Sequence, residues 1–351
     1  KPLPFDFTRA SSATVVNKDG LIETVGSGEP RIDFSNDAKG ALLLEPSRSN
    51  LVTYSEDFSQ FTGGGSIVVE SGYLAPDGTN SAYKVSGSAG ALNMGFGLTN
   101  SETRSIYAKT ISGQGNAHLC SYFGNTNNLK TITEDWQRFE VNGTTTETGV
   151  TSFYAVDFRG STDLNEIIIW GAQAEQGSYA TSYIPTQGSA VTRVADVCNN
   201  GANEQVINST EGVLYAEENL LSTLGSKRTI SLSDGTLNNY CQIQFQGASR
   251  NIKMLYTTVE TGTSTNISYL MPDNINSNKI AFLWSVNKFQ LWVNGIKVLE
   301  DLSGATSTSN VFSELKFSLP NGADNFYGNI KETKLYNTAL TDSELQALTQ
   351  I

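Results

Sequence analysis

Phe289-Gln290-Leu291-Trp292-Val293-Asn294-Gly295-Ile296-Lys297-Val298-Leu299 is the stretch that decides the fold class. Phe289, Leu291 and Val293 alternate with Gln290 and Trp292, the two-residue period of a strand that buries one face. Asn294-Gly295 follows at once, and Asn-Gly is the strongest short hairpin signal because a two-residue type I′ turn needs positive φ at both central positions. The apolar pattern then resumes from Ile296, so an antiparallel hairpin is expected.

Similar runs surround it. Residues 212–217, 229–232, 242–245, 266–270, 279–284 and 314–318 read as strands, and so, upstream, do 66–70, 81–85, 104–108, 118–123, 137–141 and 166–170. Gly, Asn and Thr clusters punctuate them, the pattern of antiparallel sandwiches. One helix is expected, at the C-terminus, where Thr341-Asp342-Ser343-Glu344 forms a capping box ahead of Leu345 and Leu348. The composition agrees: only 17% of residues are charged, against 32 Gly, 14 Tyr and 16 Phe.

A length of 351 residues suits two domains. The expected fold is all-β, with two consecutive antiparallel sandwiches and a short C-terminal helix. Residues 1–47 read as an extended, hairpin-rich arm too small to bury its own core. A first sandwich is placed at 48–190 and a second at 200–351, divided where the apolar pattern lapses from Pro185-Thr186-Gln187-Gly188-Ser189 to Asn199-Asn200-Gly201.

Charge and cysteine usage exclude several classes. A net charge of −12, from 35 acids against 23 bases, repels nucleic-acid phosphates, and no Lys/Arg cluster offsets it. Cys120, Cys198 and Cys241 are far apart and without a C-x-x-C, so buried thiols are expected and neither zinc nor a disulfide framework. No apolar run approaches the roughly 18 residues that span a bilayer, so a soluble chain without membrane insertion is expected. The start, Lys1-Pro2-Leu3-Pro4-Phe5, has neither a secretory apolar region nor Met, which suggests a fragment or processed product.

Chemistry is harder to find. His118 is the only histidine, inside an apolar run, and a structural role there outweighs Ser-His-Asp or Cys-His catalysis. Gly63-Gly64-Gly65 lacks the Lys-Ser/Thr and helix of a phosphate loop. Acidic residues at Asp157, Asp163, Glu166, Glu217-Glu218 and Glu300-Asp301 do not give the alternate spacing that sets two carboxylates on one strand face for glycoside cleavage. A site assembled from distant segments stays open. Sugar binding needs only an exposed ring or two and some hydrogen-bonding groups, and Tyr107, Tyr122, Tyr154, Arg104 and Asn125 are the candidates, each weighed against an ordinary half-buried role. Of Trp136, Trp170, Trp284 and Trp292, at least three are expected in the core. The turns at Asp77, Asp234 and Asp324 offer oxygen ligands for a structural calcium, although Asp-Gly is first a turn former. No other cofactor is expected.

Three groups of segments look familiar in this order. Phe7-Thr8-Arg9-Ala10-Ser11-Ser12-Ala13-Thr14, Pro30-Arg31-Ile32-Asp33-Phe34 and Leu43-Leu44-Glu45-Pro46-Ser47-Arg48-Ser49-Asn50-Leu51 resemble the opening of bacteriophage tail and virion structural proteins. Trp170-Gly171-Ala172-Gln173-Ala174-Glu175, through Tyr183-Ile184-Pro185-Thr186 to Thr192-Arg193-Val194-Ala195-Asp196, is similar to the exit of their carbohydrate-binding-module-like jelly roll. Phe326-Tyr327-Gly328-Asn329-Ile330 with Leu335-Tyr336-Asn337-Thr338-Ala339-Leu340-Thr341 resembles the end of laminin G/concanavalin A-like domains. The resemblance implies a non-enzymatic fibre or adhesin on the virion surface, outside the cell. Its implied partners are host-surface glycans or polysaccharides and other virion proteins, and its implied state is a homo-oligomer, a trimer. A polysaccharide depolymerase and a purely structural decoration protein are the competing readings. Lys331 stands where many such domains have a calcium-binding Asp, and Trp170-Gly171 where sugar-binding relatives carry an acidic pair, which counts against calcium at both places.

Overall fold

The structure, a computed structural model, describes residues 5–95, 102–121, 128–143, 152–222, 227–272 and 277–351. Among these residues it is all-β apart from two 3-10 turns and one helix, and the sheets are antiparallel. The hairpin forms as expected: Lys288–Val293 pairs with Ile296–Asp301, and Asn294 (φ 52°) and Gly295 (φ 80°) supply the two positive φ values of the turn. The C-terminal helix, Asp342–Thr349, carries its full capping box. No described helix is long and apolar enough to cross a membrane.

The chain divides into two compact units that interleave along the sequence. One contains residues 1–10, 27–46 and 195–351, the other 11–26 and 47–194. Residues 1–47 are therefore shared out and do not form a separate arm. The reason is hydrogen bonding, since short strands leave backbone groups that must find partners: Arg31–Asp33 and Ala41–Leu44 find them in a seven-stranded sheet, Asp6–Thr8 in Val197–Asn199, and Ala13–Val16 and Ile22–Val25 in each other.

In the first unit, a seven-stranded sheet runs in the order Ile296–Asp301, Lys288–Val293, Asn278–Ser285, Gly212–Leu220, Gly328–Tyr336, Ala41–Leu44, Arg31–Asp33. The last two strands come from the supposed arm. It faces a five-stranded sheet of Gly262–Leu270, Asn251–Thr258, Tyr240–Phe245, Arg228–Ser233 and Glu314–Lys316 across a core that includes Trp284, Phe282, Phe289, Phe245 and Tyr256. The other face of the seven-stranded sheet is covered in part by the helix, where Leu345 packs on Tyr215 and Trp292.

The second unit is a sandwich of two five-stranded sheets. One runs Leu129–Ile132, Gly115–Ser121, Ser152–Asp157, Ala91–Gly95, Thr62–Gly64, and the other Gln137–Gly143, Glu102–Lys109, Glu166–Gln176, Ala82–Ser86, Val68–Tyr73. Phe58, Phe153, Leu119, Ile106 and Ile169 lie in the core between them. Outside the second sheet, Ile22 of the hairpin Ala13–Val16/Ile22–Val25 joins Trp170 and Tyr183 in a smaller cluster. Trp170, Trp284 and Trp292 are buried, and Trp136 is half-buried. All three cysteines are buried free thiols.

Within the first unit lies a charge cluster with almost no access to water. Asp196 accepts from Arg9 Nη1 at 3.0 Å and from Arg31 Nη2, and Arg31 Nη1 reaches Glu45 at 2.7 Å. The Glu45 and Asp196 backbones also bond to each other's residue, Glu45 N–H to Asp196 Oδ2 at 2.8 Å and Asp196 N–H to Glu45 O at 2.9 Å. Removing one member leaves a buried charge uncompensated, which costs about 3–5 kcal/mol, whereas an exposed pair is worth about 0–1 kcal/mol. Asp196→Asn is therefore expected to lower unfolding free energy in urea by about 3–5 kcal/mol. Breaking the exposed pair of Lys334 with Glu332 by Glu332→Gln should change it by less than about 1 kcal/mol; equal effects from the two would contradict this reading.

Glu218 is a different case. It points into the first unit's core and accepts one hydrogen bond, from Asn278 Nδ2 at 3.4 Å, while Oε2 has no hydrogen-bond partner among the described residues. Burial holds its carboxyl well above the ordinary value of 4.5. Below that ordinary value the side chain is protonated in both folded and unfolded chains. As the pH rises past it, the unfolded carboxyl ionises first, and stability falls until the pH exceeds the folded value. Glu218→Gln removes that loss, so its melting temperature relative to wild type should rise from pH 4 to pH 8; parallel curves would refute the assignment.

Candidate functional site

The site is built where two non-strand segments of the second unit run side by side. Ser55 N–H donates to Thr186 O (3.3 Å) and Oγ1 (3.0 Å), Thr186 N–H donates to Ser55 Oγ (2.8 Å), and Thr186 Oγ1 donates to Val52 O (2.6 Å). Tyr183 anchors the returning segment: its ring lies 4.5 Å from that of Trp170, and its hydroxyl donates to Glu56 Oε1 at 2.9 Å and meets Ser55 Oγ at 2.6 Å. Trp170 Nε1 in turn holds Ser81 Oγ at 2.8 Å. Asp57 caps the 3-10 turn Phe58–Gln60 through Ser59 N and Oγ, and accepts the Tyr83 hydroxyl at 3.0 Å.

These locks leave a cleft of about 480 Å³, lined among others by Glu56, Asp57, Asn80, Ser81, Tyr83 and Gln187. The two carboxyls differ in character. Burial pushes Glu56 upward, opposed by the Tyr183 hydrogen bond and aided by the charge of Asp77. Asp57 is held low, chiefly by the Ser59 hydroxyl and also by Tyr83. The cleft thus offers carboxylate acceptors, two amides that both donate and accept, two serine hydroxyls and an aromatic ring, and among the described residues no lysine or arginine lines it. That donor and acceptor set suits a ligand rich in hydroxyls.

The residues singled out from the sequence are placed elsewhere. Arg104 is fully buried, bonded to Ser121 O and Ser152 O at 3.0 Å each and to Glu102 Oε1 at 3.1 Å, so it is structural. Tyr107 is half-buried against Trp170 at 5.6 Å, with the Arg138 guanidinium 5.4 Å above its ring. Tyr154 lies on the opposite sheet, its ring 5.6 Å from the Arg159 guanidinium, which also holds Asp157 at 2.6 Å. Tyr107 and Tyr154 are therefore not brought together. Tyr122 and Asn125 fall outside the described residues. His118 is buried on Gly115–Ser121, paired across the sheet with Asp157.

The calcium candidates are engaged in their own turns. Asp77 Oδ1 accepts from Thr79 N–H and Oγ1, and Asp234 accepts from Thr236 and Asn239. Asp324 sits at φ 50°, 3.5 Å from Gln244 Nε2. Among the described residues no three His, Cys, Asp or Glu side chains gather as a metal site would require.

Sequence reasoning missed Glu56, Asp57, Asn80 and Tyr83. Neither of the first two lies on an alternating run, so no periodicity marked them. Thr186 and Tyr183 stood within a segment quoted for its resemblance, and Ser55-Glu56-Asp57 follows another within a few residues.

No family model and no curated protein sequence matches the chain. Solved structures show distant likeness. The CBM40 of the Ruminococcus gnavus IT-sialidase is 16% identical and covers 41% of this chain and 84% of its own, at a TM-score of 0.35. Domain 4 of AbnA, an extracellular GH43 arabinanase from Geobacillus stearothermophilus solved with arabinotriose, is 14% identical and covers 50% and 84%, at 0.36. Domains LG4-5 of the mouse laminin α1 chain are 9% identical and cover 84% and 93%, at 0.28.

Proposed function

We propose that this chain is a non-enzymatic, glycan-binding protein of a bacteriophage particle surface, a fibre or adhesin, and that the cleft takes a neutral oligosaccharide of the host surface. The observation that carries the binding part is the cleft itself, with acceptors, amides and the Tyr83 ring converging and, among the described residues, no cationic side chain lining it. Glu56, Asp57 and a net charge of −12 disfavour uronate or sialylated chains, since like charges repel across a site of reduced dielectric. The phage part is supported by the ordered resemblance of the opening, exit and closing segments.

Catalysis is the competing reading, because carboxyls pushed in opposite directions are what acid-base cleavage of glycosides uses. Asp57 counts against it: its carboxylate is tied to Ser59, Gln60 and Tyr83 as a turn cap.

A glycan array with the whole chain is expected to show binding to neutral oligosaccharides and none to sialylated or uronate-rich ones. Tyr83→Ala should weaken that binding about tenfold or more, as loss of a central aromatic anchor does. Binding confined to acidic glycans would overturn the cleft assignment, and new reducing ends or unsaturated uronates during incubation with bound polysaccharide would establish an enzyme. A mass in solution three times that of the chain would accord with the trimer that the resemblance implies, and a monomer would count against the fibre.

A further inference from the structure

A second cavity lies within the first unit, on the outer face of the seven-stranded sheet. Ile330 points into the core, so its neighbours Asn329 and Lys331 project from the opposite face. Asn219 stands across from Asn329 on the adjacent strand, and the turn after Arg31–Asp33 brings Asn36 and Asp37 alongside. Together with Asp33 these side chains line a pocket of about 200 Å³. That is the liquid volume of about six or seven waters.

Two features separate this pocket from an ordinary polar hollow. Asn329 is only 7% exposed, yet its side chain makes no hydrogen bond among the described residues. Asn219 Oδ1 is buried and also lacks a partner. Buried polar atoms are nearly always satisfied, and Asn219 Oδ1, unsatisfied beside a second amide that bonds to nothing among the described residues, calls for a partner from outside the protein. The charged members are already arranged: Lys331 Nζ lies 3.0 Å from Asp37 and 4.0 Å from Glu217, and Asp37 also accepts Lys39 N–H at 2.8 Å.

The chemistry narrows the ligand. The ammonium of Lys331 against Asp37 occupies the place a divalent cation would need, so a metal is disfavoured. Asp33 and Asp37 disfavour an anion. Among the described residues the pocket has no aromatic ring on which a flat apolar molecule would stack. Paired amides that each donate and accept, beside carboxylate acceptors, match adjacent hydroxyls, each of which donates and accepts in turn. We propose that this pocket binds one neutral, pyranose-sized polyol, with Asn329 and Asn219 engaging neighbouring hydroxyls, as a second ligand site separate from the cleft.

Saturation-transfer NMR on the whole chain tests this with the methyl pyranosides of glucose, galactose, mannose and N-acetylglucosamine as probes. At least one should give a signal that persists in Tyr83→Ala and falls fivefold or more in Asn329→Leu, with melting temperature unchanged. Asn219→Ser serves as the second variant if Asn329→Leu does not fold, and should weaken the same signal. No signal from any of the four, or a signal indifferent to both asparagine variants, would overturn the proposal. So would calcium chloride alone raising the wild-type melting temperature and losing that effect in Asn329→Leu. Loss of signal only in Tyr83→Ala would assign the sugar to the cleft and leave this pocket without a ligand.

Discussion

Asp196 held between Arg9 and Arg31, with Glu45 completing the set, is the constraint on which the first unit depends. Taking four charges out of water is costly, and their mutual attraction offsets the cost only when all four are present in good geometry. That requirement acts like a register mark. Positions 9, 31, 45 and 196 must meet, and satisfying them draws three separate stretches of chain into one unit. Arg9, Glu45 and Asp196 each stand within two residues of a point where the chain passes between units. The second unit has its own closure beside two of the same points, where Arg48–Asn50 pairs with Val191–Arg193 and Asn50 satisfies four backbone groups, at Ala172, Ile184, Val52 and Ala174.

Arg9, Arg31, Glu45, Asp196, Asn50 and Tyr183 all fall inside the segments that suggest a family from the sequence, and each is buried and bonded to partners remote in sequence. The same segments also supply Thr186 to the cleft and Asp33 and Asn329 to the pocket, so closing a unit and lining a site are not separated along the chain.

What was legible in the sequence was local. The Asn294-Gly295 turn and the Thr341 capping box are decided by a few neighbouring residues, and they stand as read. The alternation does not: Gln290 and Trp292 are buried as well as Phe289, Leu291 and Val293, because the C-terminal helix covers the second face, and Ile296 after the turn is exposed. The sharing out of residues 1–47 was not legible, because Ala41–Leu44 becomes a strand of the large sheet only through Gly328–Tyr336, almost three hundred residues away. Arg104 shows the same limit from the other side: a charged residue on a strand reads as exposed, and only the tertiary structure reveals carbonyls of Ser121 and Ser152 waiting for it in the interior.

The cleft and the pocket share a principle that the strands do not reveal. Both are lined by residues from turns and strand ends, where hydrogen-bonding groups are not committed to a ladder, and both lack the stacked aromatic strip that the sequence invites one to look for. Tyr107 and Tyr154 are instead covered by guanidinium groups, which fix the rings and reduce their free faces. In the proposed readings, the groups that would meet a ligand are amides and carboxylates held by a second layer: Tyr183 behind Glu56, Trp170 behind Ser81, Lys331 behind Asp37. Such pre-organised acceptors would discriminate by charge before shape, since an anionic ligand would meet Glu56 and Asp57 in the cleft and Asp33 and Asp37 in the pocket, while a neutral polyol would replace its water hydrogen bonds one for one.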